Sequence, residues 1–407
     1  MSNAAYGLLG APLAMAALPL FVQLPAYYAT HLGMALAPLG VVLFIARAID
    51  MLQDPLLGHL LDRAPAAQRR RWMTLGAGVL SLAFAALWLP PSGVPAGVWL
   101  ALMLVVAYGA HSLVNIAYLA WAAQLPAALG AAAWREGLGL VGMLSASLIP
   151  AAILAGDPAQ IRPRLAAYSV GFALLMAAAM VALLRYAPTP RRSDGGVTAA
   201  ASGSLRESWR ELAGNRTVRA LLLPYFLNAL SVAIPATLAL FYIADQLGAP
   251  QLSGLFLACY FGAAACGLPA WTALARKWGP LRCWRLGMLL SVAGFCGAAL
   301  LGNGDLIPYA IVCIAAGTAL GADLALPPVL LGQAIGERLG AGYGLFTLLG
   351  KLALAIAGLS LPLLAWLDYR PGHGGGAGLV AAYAVVPCLL KLLAMAALGR
   401  CTARSQP

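Results

Sequence analysis

The sequence predicts an all-α polytopic membrane protein with about twelve transmembrane helices in two pseudo-symmetric six-helix bundles. Three observations carry that expectation. Of 407 residues, 62% are hydrophobic and 9% charged, and the mean hydropathy is +0.86, whereas soluble domains are roughly 45–50% apolar. Apolar runs near the roughly 20 residues a helix needs to cross a bilayer recur along the whole chain. One long polar stretch, about 188–215, divides these runs into six and six.

Charged and Gly/Pro-rich breaks set the elements in order. The first span, about 6–31, closes on Tyr27, Tyr28 and His31, rings suited to a membrane interface. The second, 36–61, ends at Asp62-Arg63, and Arg69, Arg70 and Arg71 precede the third, 73–90. The fourth, 97–123, follows Pro95 and stops at Gln124; the fifth, 137–156, follows Arg135; the sixth, 166–186, follows Arg162 and Arg164. After the linker come 217–245, 251–275, 285–302, 307–333, 343–366 and 378–399. The expected division is thus 1–187, a linker 188–215, and 216–407, with Ser204 to Leu212 a surface amphipathic helix carrying Trp209, Arg206 and Arg210 toward lipid headgroups.

A net charge of +12 suits nucleic acid as well as a membrane protein, so placement decides. Alternating the breaks across the bilayer gathers Arg63, Arg69 to Arg71, Arg135, the stretch 185–219, Arg276 to Arg285, Arg338, Arg400 and Arg404 on one side. The other side holds Arg162, Arg164 and Arg370. The positive-inside rule then places both termini in the cytoplasm of a plasma (inner) membrane protein, with no nucleic-acid partner. Seven cysteines, all in the second half, lack metal-ligand spacing and read as packing residues. No nucleophile triad, phosphate-cradling loop or metal cluster appears, so the sequence predicts no enzyme, no ATP-driven pump and no cofactor beyond a coupling ion.

Acids within spans are informative, because a charge at the bilayer centre costs at least about 2.5–3.5 kcal/mol. Arg47, Asp50 and Asp54 lie at spacings of three and four, on one helix face. Arg47 can neutralise one carboxylate and leave the other to bind Na+ or carry a proton; the alternative is a structural brace. Pro55 frees a carbonyl one turn earlier as a further oxygen ligand. Asp62 and Arg63, at the lipid boundary, read with Arg47 as a gating and charge network. In the second half, Asp323 and Lys351 are the corresponding anomalies: the lysine can pair with Asp323, or with an acid across the pseudo-symmetric cavity, in an ion pair exchanged during movement, or it can form a fixed bridge between spans ten and eleven. Pro327-Pro328 is expected to break or kink span ten. His111, Asn115, Tyr118, Trp121 and Gln124 give span four a hydrogen-bonding face, for a hydroxyl-rich ligand or for contacts between helices. His59 and His373 read as boundary or loop residues.

The stretch 40–71 contains R-x-x-D-x-x-x-D-P-x-x-G-x-x-x-D-R, seven fixed positions out of 17 from Arg47 to Arg63. It resembles the signature of the glycoside-pentoside-hexuronide:cation symporters, the melibiose-permease-like branch of the major facilitator superfamily. AYGLLG, LPAYYATHLG, NIAYLAW, WREGLG and TLLGKLALAIAG extend the likeness through most of the chain. The resemblance implies Na+, Li+ or H+ symport, with Asp50 and Asp54 as cation ligands and Lys351 as a site lysine. Charges that sugar-transporting members carry are absent between Leu8 and Leu20, at Asn115 and at Met143.

The expectation is therefore a monomeric, cation-coupled symporter of a small polar solute, such as a sugar or glycoside. The cation lies at Asp50 and Asp54, the one metal site suggested being Na+ there, and the solute at Asn115, Tyr118, Trp121, Asp323 and Lys351. A carrier of lysophospholipid or another amphipathic substrate, and a non-transporting sensor with the same fold, are the alternatives.

Overall fold

The computed structural model describes residues 2–21, 23–154, 156–188, 205–335, 338–360, 363–364, 369 and 374–402. Arg370, His373, Arg404 and most of the linker lie outside the described residues, as do the side chains of Arg206, Trp209 and Arg400. Every regular element among the described residues is helical. Nine helices there are long and apolar enough to cross a membrane. α4, Leu36–Arg63, is also 28 residues long, about 42 Å at 1.5 Å per residue. The chain forms two compact units, 1–208 with 337–345, and 209–336 with 346–407.

In the first unit the expected first span is divided among α1, Asn3–Gly7, α2, Gly10–Phe21, and α3, Gln23–Thr30. The glycines explain the first division. A Cβ on Gly7 would sit 2.5 Å from the Trp134 side chain, and one on Gly10 2.4 Å from the Arg135 carbonyl oxygen. The chain presses directly on α7, Ala128–Leu154, and Gly142 of α7 returns the contact against the Ala11 carbonyl. α5, Ala66–Trp88, and α6, Ala96–Ala123, complete one side of the unit, and α8, Pro158–Tyr186, the other.

Two of these helices start earlier than the sequence suggested. Asp157 caps α8 by accepting the Ala159 N–H, so Pro158 to Leu165 join the helix. α7 includes Arg135, which is buried and paired with Glu136 rather than lying in a loop. The core between α5 and α8 is aromatic, with Phe84 and Phe172 stacked at 4.1 Å beside Trp88 and Tyr168.

α9, Leu205–Gly214, is the short helix expected at the end of the linker, with Arg210 exposed and Leu212 buried. Asn215 then caps α10, Arg216–Phe241, accepting from Thr217 and Val218 N–H. The second unit continues with α11, Ser253–Trp278, α12, Pro280–Ala298, and α13, Leu306–Ala334. α14, Leu339–Gly358, has its first turns in the first unit and the rest in the second. α15, Ala377–Val380, and α16, Val386–Thr402, close the chain.

Two π-helical turns, Tyr242–Gln246 and Ala381–Val385, bring Tyr242 and Tyr383 face to face at 4.1 Å. The Tyr383 hydroxyl meets that of Tyr309 at 2.7 Å. α13 is the most enclosed of the candidate spans. It continues as helix through Pro327 and Pro328, so the expected break is not found. The two prolines remove the helical donors to the carbonyls of Asp323 and Leu324, while α11 and α12 on either side hold the helix in place.

Gly317 is the closest point of the α11–α13 crossing: a Cβ there would stand 2.1 Å from the Tyr260 carbonyl oxygen. Gly317→Val should therefore force backbone apart and lower stability by at least the about 1–3 kcal/mol typical of overpacking. Thermal unfolding of the detergent-solubilised protein will show this as a clear drop in the midpoint. An unchanged midpoint would mean that the crossing yields without cost.

Candidate functional site

Arg47, Asp50 and Asp54 follow one another along α4, as their spacing requires, with Asp50 and Asp54 buried inside the first unit and Arg47 more exposed. The opposite side of α4 carries an exposed aliphatic stripe, Ile45, Ile49, Leu52, Leu56 and Leu60. The helix is thus apolar toward its surroundings and charged toward the unit's interior, the reverse of a soluble amphipathic helix. The Ser112 hydroxyl on α6 donates to Asp50 Oδ1 at 3.3 Å. Tyr108, one turn before Ser112, lies within reach of both Arg47 and Asp50. Gln53 rests on Gly109, where a Cβ would stand 2.5 Å from its Oε1. α4 remains helical through Pro55, whose missing N–H leaves the Met51 carbonyl without its helical donor.

One turn beyond Asp54, α4 meets the start of α14, also within the first unit. A Cβ on Gly58 would stand 2.2 Å from the Gly340 carbonyl oxygen, and one on Gly344 2.6 Å from that of Asp54. Glycine is required for this approach. The Asp62 carboxylate then accepts the backbone N–H of Gly340 at 2.6 Å and of Ala341 at 2.8 Å. These donors belong to the first turn of α14, whose positive dipole end favours an anion. Asp62 is thus an anchor for a helix start, and Arg63 beside it is exposed.

The α6 residues separate by role. His111 contacts the Leu13 carbonyl at 3.1 Å. The Tyr118 hydroxyl donates to the Tyr6 carbonyl and the Tyr6 hydroxyl to the Tyr118 carbonyl, with the rings stacked at 4.3 Å, so α1 and α6 are clamped together. Trp121 Nε1 donates to the Pro188 carbonyl, and the Arg70 guanidinium lies 5.3 Å from its ring. The Gln124 amide donates to the Ala120 carbonyl. Asn115 remains partly exposed, one turn from Ser112.

The second unit supplies a cluster that the sequence reading did not assemble. Lys391 Nζ on α16 donates to Asp323 Oδ2 at 2.7 Å and to Asn228 Oδ1 on α10 at 2.8 Å. Trp284 Nε1 on α12 donates to Asp323 Oδ1 at 3.1 Å. All four residues are buried. This corrects one of the two pairings expected for Lys351: Asp323 is held by Lys391, and Lys351 stands half-exposed on α14. The signal for Lys391 was its place inside an apolar run. Asn228 and Trp284 carried no such signal, because neutral polar and indole groups are common in membrane helices. Among the described residues no group of three or more His, Cys, Asp and Glu is arranged to hold a metal ion.

Two helical units that bury charged groups inside membrane-spanning helices define an integral membrane protein of the major facilitator fold. The sequence matches the MFS/sugar transport protein family over residues 4–402, and the protein belongs to that family. No curated protein matches the chain. Among solved structures it is similar to a bacterial homologue of the iron transporter ferroportin, with a TM-score of 0.76 at 17% identity, covering 99% of this chain and 100% of that one. The E. coli fucose:proton symporter FucP gives 0.72 at 14%, covering 100% and 98%. The proton:xylose symporter XylE gives 0.67 at 14%, covering 97% and 94%. At these identities the likeness concerns the fold.

The buried cluster of the second unit gives a stability test. Lys391→Met alone leaves the Asp323 carboxylate buried without its cation and should cost about 3–5 kcal/mol. Adding Asp323→Leu to Lys391→Met should recover most of that loss, because an apolar pair leaves no orphaned charge. Unfolding midpoints of the wild type, single and double variants check this; equal midpoints for single and double variants would show that the pair does not act as a unit.

Proposed function

We propose that the protein is a secondary active transporter that couples inward movement of Na+ or H+ to symport of a small polar solute, a sugar or glycoside being the favoured class. The observation that carries this reading is the pair of buried carboxylates, Asp50 and Asp54, one turn apart on α4. Two such acids repel when both are ionised, so binding a cation or a proton relieves the site. Ser112 and the Met51 carbonyl add neutral oxygens of the kind a hard cation takes.

Asn115 follows Ser112 by one turn on α6 and is partly exposed, which supports reading its amide as a solute ligand near the proposed cation site. Lys351 is our assignment for the solute-binding cation of the second unit. Tyr118 and Trp121 support the α6 face from behind, and Asp323 acts through its buried pair. Arg47, Asp62 and Arg63 form the charge network that restrains α4 and the start of α14. We place the protein in the plasma (inner) membrane as a monomer with both termini cytoplasmic, on the strength of its arginine distribution. Fucose and xylose transport by its structural neighbours supports the choice of sugars as first probes.

The test uses the full chain in proteoliposomes with radiolabelled fucose, xylose and melibiose under an inward Na+ or pH gradient. Accumulation should occur with at least one probe, and Asp54→Asn should reduce it to the protein-free background while solute exchange without a gradient persists. Asp50→Asn should weaken coupling in the same direction. Accumulation that survives both substitutions would sink the ion-site assignment, and absence of any sugar flux would turn the reading toward an amphipathic cargo.

A further inference from the structure

An open surface depression of about 360 Å³ lies where α11 ends and α12 begins, lined by Trp278, Arg282, Arg285 and Leu286. Gly279, at φ +84°, reverses the chain in a single residue and so sets the end of one helix beside the start of the next. The Arg285 guanidinium donates to the Leu398 carbonyl on α16 at 3.1 Å, which fixes it at the wall of the depression. Arg276 and Lys277 are exposed immediately before it. From Ser253 to Ala298 the sequence contains four basic residues and no acid. Neither of the two helices supplies an acid beside Arg282, which is exposed at the mouth of an otherwise largely apolar depression.

The surface continues apolar along α12. Leu286 and Leu289 are exposed, at one-turn intervals from Arg282 and Arg285. Arg282 to Leu289 spans about 10 Å along the axis. Trp278, 46% exposed, stands at the charged end, where indoles sit in a membrane interface. Charge at one end and aliphatic surface running away from it match an anionic phospholipid, and Arg presents a planar fork suited to phosphate. A free phosphate shares the headgroup chemistry but gains nothing from Trp278, Leu286 or Leu289. We propose that this depression binds the headgroup of an anionic phospholipid, with an acyl chain lying along Leu286 and Leu289.

The test is ligand binding by the purified full chain in neutral detergent, read by native mass spectrometry and by the unfolding midpoint. The probes are short-chain phosphatidylglycerol, phosphatidylcholine of the same chain length, and inorganic phosphate. Phosphatidylglycerol should bind and raise the midpoint, phosphatidylcholine and phosphate should not, and Arg282→Gln should weaken phosphatidylglycerol about fivefold, the factor that about 1 kcal/mol per basic side chain gives. Leu286→Gln should weaken the lipid as well. Equal stabilisation by phosphate alone, equal binding of phosphatidylcholine, or unchanged affinity in Arg282→Gln would each overturn the proposal. Competition between the two lipids on the unaltered protein decides the matter even where a variant fails to fold.

Discussion

The desolvation of charge in hydrocarbon is the constraint on which the rest of the structure depends. A carboxylate or ammonium placed inside a span must find its partners within the protein, since neither lipid nor bulk water supplies them. Asp323 meets that demand with an ammonium and an indole N–H, and the ammonium meets its own with an amide oxygen as well. The four groups come from α10, α12, α13 and α16, so a single buried acid fixes the rotation of four helices at once. Asp62 meets it differently, with two backbone N–H groups at the start of α14. A helix start carries unpaired donors in any case, and the acid satisfies two of them while the Arg69 and Arg338 charges lie near it.

Such networks need helices that approach closely, and small residues provide the approach. Between membrane helices there is no hydrophobic drive, because lipid is as apolar as leucine, so packing and hydrogen bonds hold the bundle together. Gly58, Gly340 and Gly344 let backbone lie on backbone beside Asp54, and Gly317 and Gly142 do the same elsewhere. The polar and small-residue devices depend on each other. Asp62 reaches the α14 N–H groups because Gly58 and Gly340 allow the helices to touch, and a side chain at either position would lift the carboxylate away from its donors.

Much of this was legible in the sequence, and the part that was not has a physical cause. Long uncharged runs announce spans because the bilayer sets their length, and Arg47, Asp50, Asp54 and Asp62 announce a face because helical spacing is local. The division of the first span at Gly7 and Gly10 depends on α7, more than a hundred residues away. The partner of Asp323 is likewise a matter of helix rotation: Lys351 is nearer in sequence, while Lys391 is the residue whose helix face points inward. Tyr118 looked like a ligand-facing ring and is a clamp on Tyr6, since the same hydroxyl serves a solute or a neighbouring helix equally well and only the packing of α1 decides.

The two units bury their acids in different surroundings. Asp323 has a cation against one oxygen and an indole donor on the other, so a second cation arriving there would have to displace Lys391 from a fully buried pair. The cost of stranding an ammonium at that depth opposes such an exchange. On α4 two carboxylates share one face, and the Ser112 hydroxyl that reaches Asp50 is neutral. The Lys391 pair thus serves as fixed framework of the second unit, whereas on α4 the buried Asp50 and Asp54 follow Arg47 along one helix.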